Sequence, residues 1–223
     1  MKTSSQRATL NRDELSRLSA DELSRLKLSE IEFSTLRQIH QELAIERAER
    51  SARLSAEEAP LAADLHAVGL SASSVWDLVN SNEPYSQAVP VLLKHLQRPY
   101  SDRIREGIAR ALAIPQAEVQ EKWSLLVDEY RKASFGRGVV AIGVTKEYRL
   151  GAKDGLAVAL SVAATDDRLP ELIALAEDPS HGESRIFLLS ALKKRRRKNR
   201  LVQEAIPRLS RDPELSKEIA SWK

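Results

Sequence analysis

The residues best suited to chemistry in this chain of 223 residues are six consecutive cations, Lys193-Lys194-Arg195-Arg196-Arg197-Lys198. Such a run has three readings. It meets the negative end of a helix dipole and is otherwise solvated, it contacts phosphates, or it faces an acidic protein surface. The sequence leaves all three open. Gly136-Arg137-Gly138 has the glycines of a phosphate loop. It lacks the preceding strand, the following helix and the Gly-Lys-Ser/Thr that nucleoside triphosphates require, so it reads as a flexible insertion. The four histidines, His40, His66, His95 and His181, lack the i,i+4 histidine or carboxylate grouping of a metal site. No Gly-x-Ser-x-Gly nucleophile elbow occurs, and the chain has no cysteine for thiolate chemistry. Carboxylates are abundant, but their spacings fit helix caps and surface pairs. The expectation is a non-enzymatic protein with no cofactor and no metal.

Composition agrees. The chain is 42% hydrophobic and 30% charged but only 4% aromatic, so its core must be built from Leu, Ile, Val and Ala. Eight glycines and nine prolines are few for the many tight turns of an all-β protein. A net charge of +3 is modest for a dedicated nucleic-acid binder. The start, MKTSSQRATLNR, has no apolar signal region. Apolar runs fall well short of the roughly 20 residues that span a membrane. A soluble cytoplasmic protein is the expectation.

The elements that must position these residues are helical. Residues 1–9 are polar and expected to be disordered. Asp13-Glu14-Leu15-Ser16-Arg17-Leu18 then recurs as Asp21-Glu22-Leu23-Ser24-Arg25-Leu26. Asn11 with Glu14, Ser19 with Glu22, and Ser29 with Glu32 have the spacing of capping boxes. Ile31, Leu36, Ile39, Leu43 and Leu54 trace a helical stripe that predicts a helix to about residue 54. Ser55 with Glu58 predicts a fresh helix over 56–68, closed by Gly69. Residues 1–54 thus read as a helical extension, and 55–223 as the main domain. Further helices are expected around 73–80 and over 116–133. Residues 134–150 read as an insertion, a loop with room for a short extended segment.

The main domain repeats itself. Val89-Pro90-Val91-Leu92 and Leu169-Pro170-Glu171-Leu172 align at an offset of 80, as do Pro99 and Pro179. Glu106-Gly107-Ile108-Ala109-Arg110-Ala111-Leu112 aligns with Asp154-Gly155-Leu156-Ala157-Val158-Ala159-Leu160 at an offset of 48. Asp178-Pro179 recurs as Asp212-Pro213. Each unit is a helix, a turn containing Pro, and a second helix with small residues at helical spacing. Ser180 with Glu183 is expected to cap the second helix of the third unit. Pro207 should kink or shorten the first helix of the last.

This pattern resembles HEAT repeats over roughly residues 70–222, and more narrowly small bacterial HEAT-repeat proteins with no shared activity. The resemblance implies an all-α superhelical solenoid whose second helices line a concave binding face. On that face it places Arg103, Glu106, Arg110, Lys153, Asp154 and Arg185, to which Lys193, Lys194, Arg195, Arg196 and Arg197 are added as binding candidates. A scaffold for an unidentified protein partner follows as the leading expectation, with an immunity or antitoxin role as one form of it. The alternative is a nucleic-acid-binding protein similar to the HEAT-like DNA alkylation-repair glycosylases. Those enzymes set aromatic residues over a lesion, whereas Trp76, Trp123 and Trp222 fall on apolar stripes and read as core.

Overall fold

A computed structural model describes residues 8–222; the expected disorder at the start falls mostly on residues 1–7, outside the described residues. The chain divides into two compact units, Met1–Ala52 and Arg53–Lys223. Apart from a two-stranded ribbon, the regular structure is helical.

The first unit holds α1 (Arg12–Arg17), α2 (Ala20–Arg25) and the first part of α3 (Glu30–Ala67). Both short helices carry the capping boxes that their sequences spell. Ser29 and Glu32 exchange the same bonds at the start of α3. Glu32 also accepts from the Leu10 amide at 2.8 Å, and Arg12 pairs with Glu42. Leu15, Leu36 and Ile39 form a small core with Leu10, Leu23, Leu28 and Leu43 around it. Ile31, expected on the apolar stripe, instead stands 72% exposed.

Helix α3 does not break at Ser55. It continues to Ala67 with Pro60 inside it. Glu58 is not spent on Ser55; it accepts from the Val75 amide at 2.6 Å and from the Ser74 hydroxyl at 2.9 Å. Gly69, at φ +84°, ends α3 as expected. The Leu70 amide reaches the Leu65 carbonyl and the Gly69 amide reaches His66, the paired bonds of a Schellman cap.

The second unit continues with α4 (Val75–Val79), α5 (Val89–Leu96), α6 (Asp102–Ala111), α7 (Ala117–Glu121) and α8 (Trp123–Lys132). The single helix expected over 116–133 is therefore two, parted at Lys122. The insertion forms antiparallel β1 (Arg137–Gly138) and β2 (Tyr148–Arg149), with Arg137 opposite Arg149. Then come α9 (Ala152–Ala163), α10 (Leu169–Glu177), α11 (Arg185–Arg195), α12 (Arg200–Leu209) and α13 (Ser216–Ala220). Prolines sit in the first turns of α5 and α10, where a missing amide costs little. Asp178, rather than Ser180 with Glu183, caps the 3-10 turn before α11. Pro207 lies near the end of the short α12.

Within this unit α4 packs on α6, α6 on α9, and α9 on α11; α5, α8 and α10 pack against the partners α6, α9 and α11. The α6–α9 and α4–α6 contacts each rest on a glycine. A Cβ at Gly155 would lie 3.0 Å from the Glu106 carbonyl oxygen, and one at Gly107 would overlap Val75. Leu, Ile, Val and Ala dominate the continuous core, as the low aromatic content requires.

Helix ends here are closed by charged side chains from other elements. The first amides and last carbonyls of a helix lack internal partners and form the two poles of its dipole. Asp102 accepts from the amides of Gly151 and Ala152, at 2.7 and 3.1 Å, at the positive start of α9. Lys153 donates to the carbonyls of Tyr130 and Ala133, at 3.0 and 2.9 Å, at the negative end of α8. Arg185 reaches Ala176 at the end of α10, and Arg195 reaches Ala164 at the end of α9. In each case the sign of the charge matches the pole it meets.

Candidate functional site

The second helices bring part of the expected set together. Arg103, on the first turn of α6, lies over the Trp76 ring with its guanidinium 3.6 Å from the centroid. It donates to Glu106 at 2.9 Å, and Arg110 donates to the same carboxylate at 2.8 Å. These are i,i+3 and i,i+4 neighbours on one helix face. Gly151 lets the start of α9 come against Glu106, because a Cβ there would overlap the carboxylate.

Asp154 continues the arrangement on α9. Burial pushes its carboxyl above the usual range, while the charges of Arg149 and Arg110 counter that rise. Arg149, from β2, lies 3.3 Å from Asp154 and 3.3 Å from Glu183 with the same nitrogen. The result is a strip of alternating charge, Arg103–Glu106–Arg110–Asp154–Arg149–Glu183, crossing α6, α9, β2 and the turn before α11. Its outer members are open to solvent, with side-chain exposures of 46% for Arg103, 63% for Arg149 and 70% for Glu183.

A cleft of about 400 Å³ lies at the Arg149 end of the strip, lined among others by Phe135, Arg137, Arg149, Asp154, Glu183 and Glu214. Its wall is shaped by Gly182, at φ +61°, whose backbone approaches the Phe135 ring so closely that a Cβ would lie 2.6 Å from it. Phe135 is 48% exposed. Behind the wall the Ser184 hydroxyl shares a 2.9 Å bond with the Tyr130 hydroxyl and donates to the His181 carbonyl. Burial pushes the Tyr130 hydroxyl up to about 12.

Two expected binding residues are turned inward. Lys153 and Arg185 are 3% and 1% exposed, and their donors are committed to carbonyls and carboxylates of their own unit. Arg185 bonds Asp212 at 2.6 Å and Glu214 at 2.5 Å. Both sit on the second helices, as the repeat alignment requires. Their side chains close the carbonyl ends of α8 and α10, contacts that no helical spacing encodes.

The basic run divides as well. Arg195 bonds Asp166 at 2.7 Å, and Lys193 lies 3.6 Å from Glu218. Arg196 donates to the Lys193 carbonyl. Lys194, Arg197 and Lys198 are exposed. This run stands at the end of α11 and adds no residue to the lining of the cleft.

Of the histidines, His95 is fully buried and held on both sides, by Asp64 at 2.9 Å and the Tyr100 hydroxyl at 2.7 Å. Burial lowers its pKa despite the carboxylate. The bond from His95, with help from Lys94, holds Asp64 down at about 2. Among the described residues no group of histidines and carboxylates could hold a metal ion. Trp123 is buried as expected, with its indole donating to Glu171 at 2.7 Å, whereas Trp76 and Trp222 are half-buried.

Sequence reasoning missed Arg149, Glu183, Phe135 and Glu214, which complete the strip and the cleft. They lie in the insertion and in interhelical turns, where side-chain direction follows no fixed period. No helix among the described residues is long and apolar enough to cross a membrane. Set beside family models, curated proteins and solved structures, the chain matches none of them.

Proposed function

We propose that residues 53–223 are a HEAT-type stack that binds a partner protein through the charged strip. The succession α6, α9, α11 supports the stack, because these are the second helices of the sequence repeats and each packs on the next, with α4 packed on α6 ahead of them. The observation that carries the binding reading is the alternation of sign along Arg103, Glu106, Arg110, Asp154, Arg149 and Glu183. A phosphate backbone gains from the cations of such a surface but is repelled by its carboxylates. A folded protein presents both signs and is selected by matching them. Inhibition of a toxin, as by an immunity or antitoxin protein, is one form such binding would take.

Affinity capture from the native host tests the reading. The immobilised full chain is compared with Arg103→Glu/Arg149→Glu and with Lys194→Glu/Arg197→Glu. The expected result is a protein retained by the wild type and by the α11-end variant but lost by the strip variant. Retention by the strip variant would refute the assignment.

Lys194, Arg197 and Lys198 favour a second reading, in which the end of α11 contacts phosphates and the protein binds nucleic acid, as the HEAT-like repair glycosylases do. If all three cations contact phosphates, changing them to Gln flattens the log–log salt dependence of duplex binding by about three units. Under the protein-binding reading, fluorescence anisotropy finds no specific DNA binding at physiological salt with either chain.

A further inference from the structure

The cleft beside Phe135 has the chemistry of a receptor for a single basic side chain. The first observation is charge balance. Asp154, Glu183 and Glu214 line it against Arg137 and Arg149. These arginines do not neutralise the carboxylates fully. A single nitrogen of Arg149 lies 3.3 Å from both Asp154 and Glu183, longer than a well-made charged hydrogen bond. Arg137 donates to the Glu147 carbonyl instead. Glu214 shares the Arg185 guanidinium with Asp212.

The second observation is the state of Asp154. Its side chain is 13% exposed and lines the cleft. Its bond to Arg149 uses Oδ2. Oδ1 accepts no hydrogen bond among the described residues, and it is not sealed from solvent in the way the orphaned Glu57 Oε2 and Arg105 Nε are. A largely desolvated carboxylate that lines a cavity and keeps one oxygen free of protein hydrogen bonds gains from a cation placed against it. The third observation is the wall. The exposed Phe135 ring and Leu150 offer apolar contact for methylenes and an aromatic face for a cation.

We propose that this cleft takes the side chain of an arginine from the bound partner, with its guanidinium at Asp154 Oδ1 and Glu183 and its methylenes along Phe135. A planar guanidinium offers two parallel donors to a carboxylate, which suits an open oxygen beside a second acid better than an ammonium does. This rests on the protein-binding reading and names the anchor that the partner supplies.

The test is a titration of the full chain with N-acetyl-arginine amide, followed by 15N-resolved amide shifts, with the citrulline analogue as the neutral isostere. Saturable shifts are expected at Gly136, Leu150 and Gly182 with the arginine compound and not with citrulline. Asp154→Asn should weaken the arginine compound about tenfold, the scale of one hydrogen bond to a charged group. Glu183→Gln, an exposed change that leaves the fold intact, should weaken it less but measurably. Equal binding of citrulline would overturn the proposal, as would shifts away from the cleft, no saturable shift, or binding untouched by Glu183→Gln. A partner lost on Arg103→Glu/Arg149→Glu but indifferent to Asp154→Asn and Glu183→Gln would remove the anchor and leave the protein-binding reading standing.

Discussion

At the scale of single residues, charge in this protein is spent first on helix ends. Lys153 is a buried cation whose ammonium carries two carbonyls at the end of α8. Burial lowers its pKa, and the two carbonyls set its position. Lys153→Met keeps the stem and removes the donors, so two buried acceptors lose their partner. Urea unfolding should register a loss of about 2 kcal/mol; an unchanged midpoint would mean that solvent already serves those carbonyls. His95 gives a pH dependence. Its folded pKa lies below the ordinary 6.5, with burial as the largest cause. The unfolded chain therefore binds the proton more readily as acid is added. The stability held by neutral His95 is complete above that ordinary value and is lost as pH falls below it. His181, also lowered by burial, acts in the same direction. Asp64 adds a second, lower window, losing its contribution as pH falls from 3.8 toward about 2. Melting temperatures should drop between about pH 7.5 and pH 5, and His95→Gln should reduce that slope without abolishing it.

At the scale of elements, local signals in the sequence hold where no tertiary partner competes for the same side chain. Asn11 with Glu14 and Ser19 with Glu22 cap the helices they precede, because a capping box closes within four residues. Ser55 with Glu58 has the same spacing and fails. A tertiary partner, the start of α4, outbids the local one for the Glu58 carboxylate, and α3 runs on. Ser180 with Glu183 fails likewise, since Asp178 reaches the Ser180 amide first and Glu183 turns to Arg149. The glycines matched by the repeat do lie at helix contacts, and Gly107 is the stricter of the two, because a Cβ there would lie 2.4 Å from Cγ1 of the buried, β-branched Val75. Gly155→Leu should overpack the α6–α9 contact and cost about 1–3 kcal/mol in urea unfolding. Gly107 faces the buried Val75 and the Trp76 indole at still shorter range, so the same change there should cost at least as much.

At the scale of the molecule, the helical class was legible because hydrophobic period is a property of the sequence itself. The candidate site was half legible. Arg103, Glu106, Arg110 and Asp154 share one strip because the first three are i, i+3 and i+7 neighbours on α6 and α9 packs against that helix. Arg149, Glu183 and Phe135 join them only through the folding of the 134–150 insertion and the Gly182 turn. Lys153 leaves the set because it closes the end of α8, and Arg185 because it closes the end of α10 and pairs with Asp212 and Glu214, contacts that no helical spacing encodes.

The central claim is that a protein partner docks along this strip. Hydrogen exchange of the full chain, with and without the captured partner, tests it most directly. The account requires slowed exchange in the amides of 103–110, 148–155 and 182–184, with 194–200 unchanged. Protection confined to the end of α11 and the start of α12, with the strip exchanging as in the free chain, would contradict it.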